Sequence, residues 1–495
     1  MRKVVKESSI SLVGSVVGTA LNYALLVSVT RYLDPAEFGT FAVAQSVIAV
    51  AMVFVLCGMP RALDRFIPHY GARDEQGKIK GLILNVLRLA SLLGVGVVVT
   101  LLALSRTLAM STFGNPQLLP VLRLMVISIP ALAWIDIVAT SFAGFRELRY
   151  RVYTHQLSLP ILKTALALAV LSLGYGLFGW IWAYLASLLL TSVLAWWFFR
   201  SRIWSTVGRT PTVPIDLRGI VSYCWPLSVN SLVVMLSGHA GVLLLAAFRP
   251  GSEVGVYRVY VYLVLLLVLV RTSFGQIYKP VAAGLVSTGD RAGVTELHKR
   301  VSKWMLIVGS FFGLVILLMG NDLLGILVPE SYTTAVSALL LLAGARTVVA
   351  ALGPQGMTLE ALGNTRFSML NAFLMLGVNV GLGRALIPSH GVFGAAAALA
   401  SSVIVVAVAE LIEVYALHRL HPFSSAYFRS LAVMMGVGVV IYLLEAVWQT
   451  DGIARVAVLI LGLALLYAAG LRFSGSLDRD DYAVLAAIRD RVLGR

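Results

Sequence analysis

The sequence predicts an all-α polytopic membrane protein of about fourteen transmembrane helices, built as two parallel six-helix repeats followed by two C-terminal helices. Three observations support this fold class. Hydrophobic residues make up 59% of the chain and charged residues only 13%, against roughly a quarter charged in soluble domains. Apolar runs close to the roughly 20 residues that cross a bilayer recur throughout the chain. Two short motifs also recur at nearly the same spacing, once in each half.

The apolar runs define the predicted spans. They cover residues 9–30, 40–59, 82–104, 119–144, 156–173, 177–199, 220–248, 254–277, 301–320, 333–351, 367–387, 392–416, 427–445 and 452–471. The predicted organisation is an N-lobe (1–200), a cytoplasmic linker (201–218), a C-lobe (219–417), spans thirteen and fourteen (418–472) and a cytoplasmic amphipathic tail (473–495). No hydrophilic stretch is long enough for a separate globular domain.

Lys and Arg are concentrated in alternate connections, on the side of the N-terminus. The opposite side carries only Arg31, Arg106, Arg249, Arg384 and Arg455. Because cytoplasmic loops carry the excess of positive charge, we expect a multi-pass protein of the inner (plasma) membrane with both termini in the cytoplasm. The net charge of +16 arises in these short loops, so it indicates membrane topology and not a nucleic-acid partner.

The remaining composition argues against cofactors and metals. Cys57 and Cys224 lie in or beside apolar runs, which predicts no disulfide and no metal site. No nucleotide-binding G-x-x-x-x-G-K-[ST] loop is present, so ATP hydrolysis by this chain is not expected.

The basic residues 1–6 run into the first span without a small-residue cleavage site, as in an uncleaved first helix. The tail is acidic at its start and basic at its end, which favours a helix on the membrane surface.

An internal repeat relates the two halves. Residues 37–41 read Glu-x-Gly-x-Phe and residues 253–257 read Glu-x-Gly-x-Tyr, 216 positions later. Residues 176–179 read Gly-x-Phe-Gly and recur at 391–394, 215 positions later. Six spans separate the copies, so both halves enter the membrane in the same direction and form parallel repeats. Such duplication favours a transporter with its pathway between the lobes, although structural proteins are duplicated as well.

Three segments carry a family resemblance: Arg-Tyr-Leu-Asp-Pro-Ala-Glu-Phe-Gly at 31–39, Gly-Met-Pro-Arg-Ala-Leu-Asp-Arg-Phe at 58–66, and Leu-Ile-Pro-Ser-His-Gly-Val-Phe-Gly-Ala-Ala at 386–396. The sequence resembles the oligosaccharide (O-antigen/polysaccharide) flippases of the multidrug/oligosaccharidyl-lipid/polysaccharide (MOP) exporter superfamily. The resemblance implies two six-helix lobes around a cationic cavity. It also implies movement of a polyprenyl-pyrophosphate-linked oligosaccharide from the inner to the outer leaflet by alternating access. The partners implied are this substrate and membrane lipids, without nucleic acid, and the protein is expected to be a monomer.

Basic residues inside the spans are the first candidate site residues, because a charge at a helix centre costs about 2.5–3.5 kcal/mol on insertion scales. Lys163, Arg271 and Arg346 lie deepest and could bind the pyrophosphate. The alternative is that they pair with Asp136 or Glu360 and hold helices together. Nearer to span ends, Arg88, Arg123 and Arg258 are expected to extend their charges to the membrane surface.

Arg61 and Arg65 end span two on the predicted cytoplasmic side. In the resembled family this is the cytoplasmic mouth, where they could collect an anionic headgroup. Ordinary anchoring by positive charge explains them equally well.

Candidates for ion coupling lie on spans seven, eleven and twelve. His239 stands near a place where the resembled family often has an acidic residue; it could titrate and couple transport to protons, or only form a hydrogen bond between helices. The oxygen donors available for sodium are Asn230, Asn371, Asn379 and Glu410. Glu410 and Glu413 approach the cytoplasmic end and are expected to extend towards it.

Three alternatives remain. A multidrug or organic-ion antiporter of the same superfamily would carry acidic residues deep in one lobe, and Asp136 alone fits this in the first half. The flippase for the peptidoglycan precursor is a variant of the same class. A membrane glycan polymerase or ligase would need a sizeable external loop, whereas the connections near 106–116 and 321–330 are short. We therefore expect a transporter and not an enzyme.

Overall fold

The structure is a computed structural model that describes residues 2–447, 452–478 and 481–482; the side chains of 2–16 (Gly14 aside), 217, 446 and 447 are not described. In the first half the helices are α1 Arg2–Tyr32, α2 Pro35–Leu56, α3 Met59–Gly71, α4 Gln76–Arg106, α5 Leu118–Met125, α6 Ser128–Gly144, α7 Leu148–Arg151, α8 Leu159–Ser172, α9 Gly176–Phe199 and α10 Ser205–Val207. In the second they are α11 Leu217–Phe248, α12 Gly251–Leu263, α13 Leu265–Ser287, α14 Arg291–Leu327, α15 Val336–Ala351, α16 Gln355–Ala361, α17 Thr365–His418, α18 Ser425–Val447 and α19 Ile453–Phe473. The all-α prediction is confirmed for these residues.

Within the described residues, ten helices are long and apolar enough to cross a membrane, or up to twelve if each of two bent pairs is one span. Helices satisfy their own backbone hydrogen bonds, which a bilayer cannot do for them. The bent pairs are α5 with α6, at 40°, and α15 with α16, at 44°. The first pair lies at the predicted fourth span of the first repeat. In the second pair, α15 lies in the predicted fourth span of the second repeat and α16 in the connection that follows it. The exact number of fourteen spans stays a prediction.

Helix α17 consists of two helical arms joined by a reversal of the chain. A straight helix of its 54 residues would be about 81 Å long. However, the Nδ2 of Asn364, the residue before α17, lies 2.7 Å from Nε2 of His418 at its end. The chain reverses at Gly391, whose φ of 51° and ψ of −125° interrupt the helix. The turn predicted between spans eleven and twelve is therefore confirmed.

The described chain forms two compact units. The first comprises Met1–Val259 with Gly383–Ala395, and the second Tyr260–Leu382 with Ala396–Arg495. In the first unit, α3, α4, α6 and α9 share a core that includes Leu63, Ile83 and Phe142. In the second, α14 packs against α18 and α19 around Met319 and Leu463. The predicted lobe and linker boundaries stay predictions.

In the second unit, the segment after α19 is fixed to α14 by a buried ion pair. The Nζ of Lys303, a residue only 3% exposed, lies 2.5 Å from Oδ2 of Asp481 and 3.1 Å from Oδ2 of Asp478. Trp304 donates from Nε1 to Oδ1 of Asp481 at 2.9 Å. The start of the predicted tail is thus docked, and the remainder of the predicted amphipathic helix, from residue 483 onward, lies outside the described residues.

Candidate functional site

Within the first unit, α2 meets the start of α12 through backbone atoms. A Cβ on Gly39 would overlap the carbonyl oxygen of Gly251, and a Cβ on Gly255 would overlap that of Pro35. Gly39 and Gly255 are the glycines of the repeated Glu-x-Gly motif, and Pro35 and Gly251 are likewise 216 residues apart. The two halves therefore contact each other through matching positions, as expected for parallel repeats. Small residues allow such close approach of membrane helices.

The repeated glutamates also occupy matching environments in the first unit. A Cβ added to Gly176 would lie 3.8 Å from Oε1 of Glu37. A Cβ added to Gly391 would lie closer still to Oε2 of Glu253. Both glycines have positive φ, 54° and 51°, a conformation that glycine adopts readily. Glu253 Oε2 also accepts a hydrogen bond from the backbone N–H of Val392 at 3.2 Å. Each glutamate thus stands beside the turn into the sixth span of its own repeat.

Midway along α2, polar side chains from three helices meet. We call Gln45, Ser46, His239 and Arg258 the central cluster. Arg258 of α12 donates from Nη2 to Oε1 of Gln45 at 3.1 Å, and Nδ1 of His239 lies 2.9 Å from Oγ of Ser46. Arg258 is also within electrostatic range of His239. The cluster places a cation and a titratable ring side by side on predicted spans.

The hydrogen bonds of Ser46 define the state of the His239 ring. Ser46 Oγ donates to the carbonyl oxygen of Ala42 at 2.8 Å. A hydroxyl has one proton, so Nδ1 of His239 is the donor in its contact with Ser46. The neutral ring therefore keeps its acceptor at Nε2.

At the other end of α2, the backbone approaches α11 closely. A Cβ on Gly58 would lie 2.7 Å from the carbonyl oxygen of Cys224 and from Oγ of Ser228. Helix α2 is therefore in contact with α11 or α12 at both of its ends and at the central cluster. We call this line of contacts the α2–α11–α12 seam.

The other predicted cations of the first unit lie on separate helices. Nζ of Lys163 on α8 is 3.4 Å from Oδ1 of Asn22 on α1. Arg61 and Arg65 lie on exposed positions of α3, and the Arg65 guanidinium stands 4.4 Å from the ring centre of Tyr223. Asp136, one of the carboxylates considered as a partner for the deep cations, has its Oδ1 3.5 Å from Nε2 of His155.

In the second unit, Arg271 pairs with a carboxylate. Its Nη2 lies 3.4 Å from Oε2 of Glu410, whose side chain is only 13% exposed. The same oxygen accepts a hydrogen bond from the backbone N–H of Gly356 at 3.1 Å, in the first turn of α16, where helical N–H groups favour an anion. Two expectations are therefore wrong: the partner of Arg271 is neither Asp136 nor Glu360, and Glu410 does not extend to the surface. Glu360 pairs with Lys279 instead.

The remaining coupling candidates lie on α11 and α17. Asn371 is 4% exposed and donates from Nδ2 to Oε2 of Glu413 at 2.7 Å, joining the two arms of the hairpin. Asn379 is buried, Asn230 on α11 is half-buried, and Arg346 on α15 is half-buried. Among the described residues, no group of three or more His, Cys, Asp or Glu side chains could hold a metal ion.

Sequence reasoning missed part of the central cluster. Arg258 was expected to reach the membrane surface, but the structure places it against Gln45. The available signal was a glutamine and a serine, Gln45 and Ser46, interrupting the apolar span two. The sequence gives no comparable signal for the turn before α16, which brings the backbone N–H of Gly356 to Glu410.

Solved structures share this fold. A lipid II flippase MurJ in an inward closed conformation matches with a TM-score of 0.73 and 15% identity, covering 99% of this chain and all of that chain (100%). An inward-facing multidrug resistance MATE family transporter of the MOP superfamily matches with a TM-score of 0.65 and 17% identity, covering 81% of this chain and 94% of that chain. A MOP superfamily transporter from Pyrococcus furiosus matches with a TM-score of 0.58 and 17% identity, covering 84% and 95%.

The chain therefore shares its membrane-protein fold with these solved structures. The family model described as polysaccharide biosynthesis protein matches residues 4–283, more than half of the chain. The chain belongs to the polysaccharide biosynthesis protein family, and the resemblance stated from the sequence is confirmed. No curated protein matches the sequence.

Proposed function

We propose that this protein is a flippase that moves a polyprenyl-pyrophosphate-linked oligosaccharide from the inner to the outer leaflet by alternating access, in polysaccharide biosynthesis. Family membership and the transporter fold support this function. The observation that carries the proposal is the position of Arg258, half-buried at the centre of the seam and held by the neutral amide of Gln45. That hydrogen bond orients the guanidinium.

A diphosphate headgroup needs fixed cations along its path through the membrane, and guanidinium groups bind phosphate oxygens in a bidentate manner. Arg258 and Lys163 supply positive charge in the first unit, and Arg271 and Arg346 in the second. Arg61 and Arg65 would receive the headgroup at the predicted cytoplasmic side. In this proposal both termini are cytoplasmic, the membrane is the inner membrane, and the protein acts as a monomer.

Energy for the cycle would come from a proton or sodium gradient or from substrate supply. The proton route uses His239, whose Nε2 is the acceptor of its neutral ring. The sodium route uses oxygen donors among Asn230, Asn371, Asn379 and Glu410. The contact of Glu410 with Arg271 weakens the second route, since a cation already occupies one side of that carboxylate.

The arrangement of carboxylates supports an anionic substrate over an organic cation. Asp136 contacts His155, Glu410 contacts Arg271, and Glu360 contacts Lys279. An antiporter for cations would use such groups to bind its substrate. The short connections between α4 and α5 and between α14 and α15 also support transport over a glycan polymerase or ligase.

The leaflet accessibility of the lipid-linked glycan tests this function. Cells that carry only Arg258→Ala should accumulate intact precursor in the inner leaflet, whereas Arg106→Ala, which removes a charge from the predicted outer end of α4, should export normally. Unchanged accessibility with altered glycan chain length would instead indicate a polymerase or ligase. Normal accessibility and chain length in cells lacking the protein would contradict the proposal.

A further inference from the structure

The second unit contains a cavity of about 480 Å³ at the ends of four helices. The end of α13, the start of α14, the end of α16 and the end of α17 form its walls. The volume lies within the range of about 300–1,000 Å³ that is typical of small-molecule sites. The charge distribution in the sequence predicts that this end of the unit faces the cytoplasm.

The rim of this cavity is basic. Arg291, His418 and Arg419 line it, and Asp290 is the one carboxylate among its described lining residues. The Asp290 carboxylate is engaged locally, because its Oδ1 accepts a hydrogen bond from the backbone N–H of Gly293 at 2.8 Å. The Arg419 guanidinium stands 5.5 Å from the ring centre of Tyr415, which restricts its orientation.

Two further contacts arrange the basic groups. The ring of His418 is held at Nε2 by Asn364 at 2.7 Å. Arg291 of α14 lines the same cavity as His418 and Arg419, so the start of α14 and the end of α17 both contribute basic groups to it. Both arginine side chains are exposed and available to an anion.

The interior of the cavity is apolar. Val294 and Leu420 belong to a buried cluster with Leu359 and Val414, and Leu362 packs against it. A ligand that fits has an anionic head for the rim and an apolar body for the interior. Phospholipids at the inner leaflet have this combination, and basic pockets between transmembrane helices on the cytoplasmic side bind anionic lipid headgroups.

We infer that this cavity binds the phosphate of an anionic phospholipid of the inner leaflet, with Arg291 and Arg419 as its ligands and the Val294–Leu420 surface beneath its glycerol and acyl carbons. The inference does not depend on the proposed function. It assigns to the second unit a lipid site that is separate from the central cluster.

Native mass spectrometry of the purified full chain tests this inference. Wild-type protein should retain phosphatidylglycerol in preference to phosphatidylcholine, and Arg291→Gln with Arg419→Gln should weaken that binding by about ten- to a hundredfold, as expected for lost charge-assisted hydrogen bonds. Arg300→Gln with Arg366→Gln removes the same charge from the same predicted side outside the cavity and should have little effect. Arg291→Lys with Arg419→Lys should retain part of the preference and serves as the variant that keeps the charge.

Two results would overturn the inference. Equal retention of both lipids by the wild type, or equal loss in both glutamine pairs, would show that the cavity does not select an anionic lipid. Displacement of phosphatidylglycerol by inorganic phosphate at equal concentration would show that the site takes a soluble anion.

Discussion

Gly39 and Gly255 occupy matching positions in the two repeats, and each approaches the backbone of the other repeat. The carbonyl oxygens of Gly251 and Pro35 stand where Cβ atoms of these glycines would lie. The two contacts are symmetric within the first unit. They lie at the N-terminal end of α2, next to its cap residue Asp34. Outward opening in the proposed cycle would have to separate these backbone atoms.

The first prediction concerns this contact. Gly255→Val should destabilise the closed seam by about 1–3 kcal/mol, because added methyl groups overpack a close interface. Gly96→Val is the control, since a Cβ at Gly96 meets nothing within 4 Å. Export and thermal unfolding temperature of both variants provide the measurement. Equal effects of the two substitutions would contradict a close backbone contact at Gly255.

A disulfide crosslink tests the same contact by holding it closed. A Cβ on Gly251 would lie 3.9 Å from Cα of Ala36, a separation compatible with a disulfide. Ala36→Cys with Gly251→Cys should form a bond under oxidation, stop export and release it after reduction. If the oxidised protein exports normally, separation of the seam is not part of the cycle.

The next prediction concerns proton coupling. His239→Gln keeps a hydrogen-bonding side chain opposite Ser46 but cannot titrate. We expect export by this variant to lose its dependence on the proton gradient, whereas Ser46→Ala should retain that dependence with lower activity. Transport in vesicles with an imposed pH gradient measures both. Retained gradient dependence in His239→Gln would leave His239 with a purely structural role.

The Arg271–Glu410 pair allows substrate binding to be distinguished from helix packing. Arg271→Ala leaves the Glu410 carboxylate without its cation, so we expect a loss of stability of roughly 1–3 kcal/mol. Arg271→Ala combined with Glu410→Ala should recover stability but not export if Arg271 binds the substrate. Recovery of export as well would show that the pair only holds α13 and α17 together. Unfolding temperature and export, measured on the same preparations, decide between these outcomes.

A pH-dependent prediction follows from the contact of Lys303 with Asp481. Burial raises the pKa of Asp481, but hydrogen bonds from Lys303, the backbone of Asp478 and Trp304 outweigh burial, and the net pKa lies below its usual value of 3.8. The resulting stabilisation is present above the unfolded pKa and is lost as the pH falls through the folded pKa. Protease resistance of the C-terminal segment should therefore be constant from pH 7 to about pH 5 and fall only below about 4.

Substitutions test the same pair at neutral pH. Asp481→Asn should destabilise the protein by roughly 3–5 kcal/mol, because it removes the buried carboxylate of the pair and leaves Lys303 only the largely exposed carboxylate of Asp478. Asp478→Asn should have a much smaller effect, since the side chain of Asp478 is 64% exposed. Similar unfolding temperatures for the two variants would contradict the buried pair.

Patterns along the chain predicted the fold well because membrane helices and repeats leave local signals. The Glu-x-Gly motif at 37–41 marked the start of α2, where Asp34 and Glu37 form a reciprocal cap. Gly391 marked the reversal within α17. The rotation of each helix about its axis is not encoded locally. For that reason the pairing of Arg271 with Glu410 and the inward position of Arg258 became visible only in the structure.

The backbone contacts between Gly39 and Gly255 bear on how such a chain could arise. A contact made by main-chain atoms restricts few side chains beyond the glycines themselves. Two copies of an ancestral six-helix subunit could associate through it as a homodimer, and gene fusion would preserve it while the neighbouring side chains diverged. The symmetric contacts at residues 35–39 and 251–255 are what such a fusion would leave in a single chain.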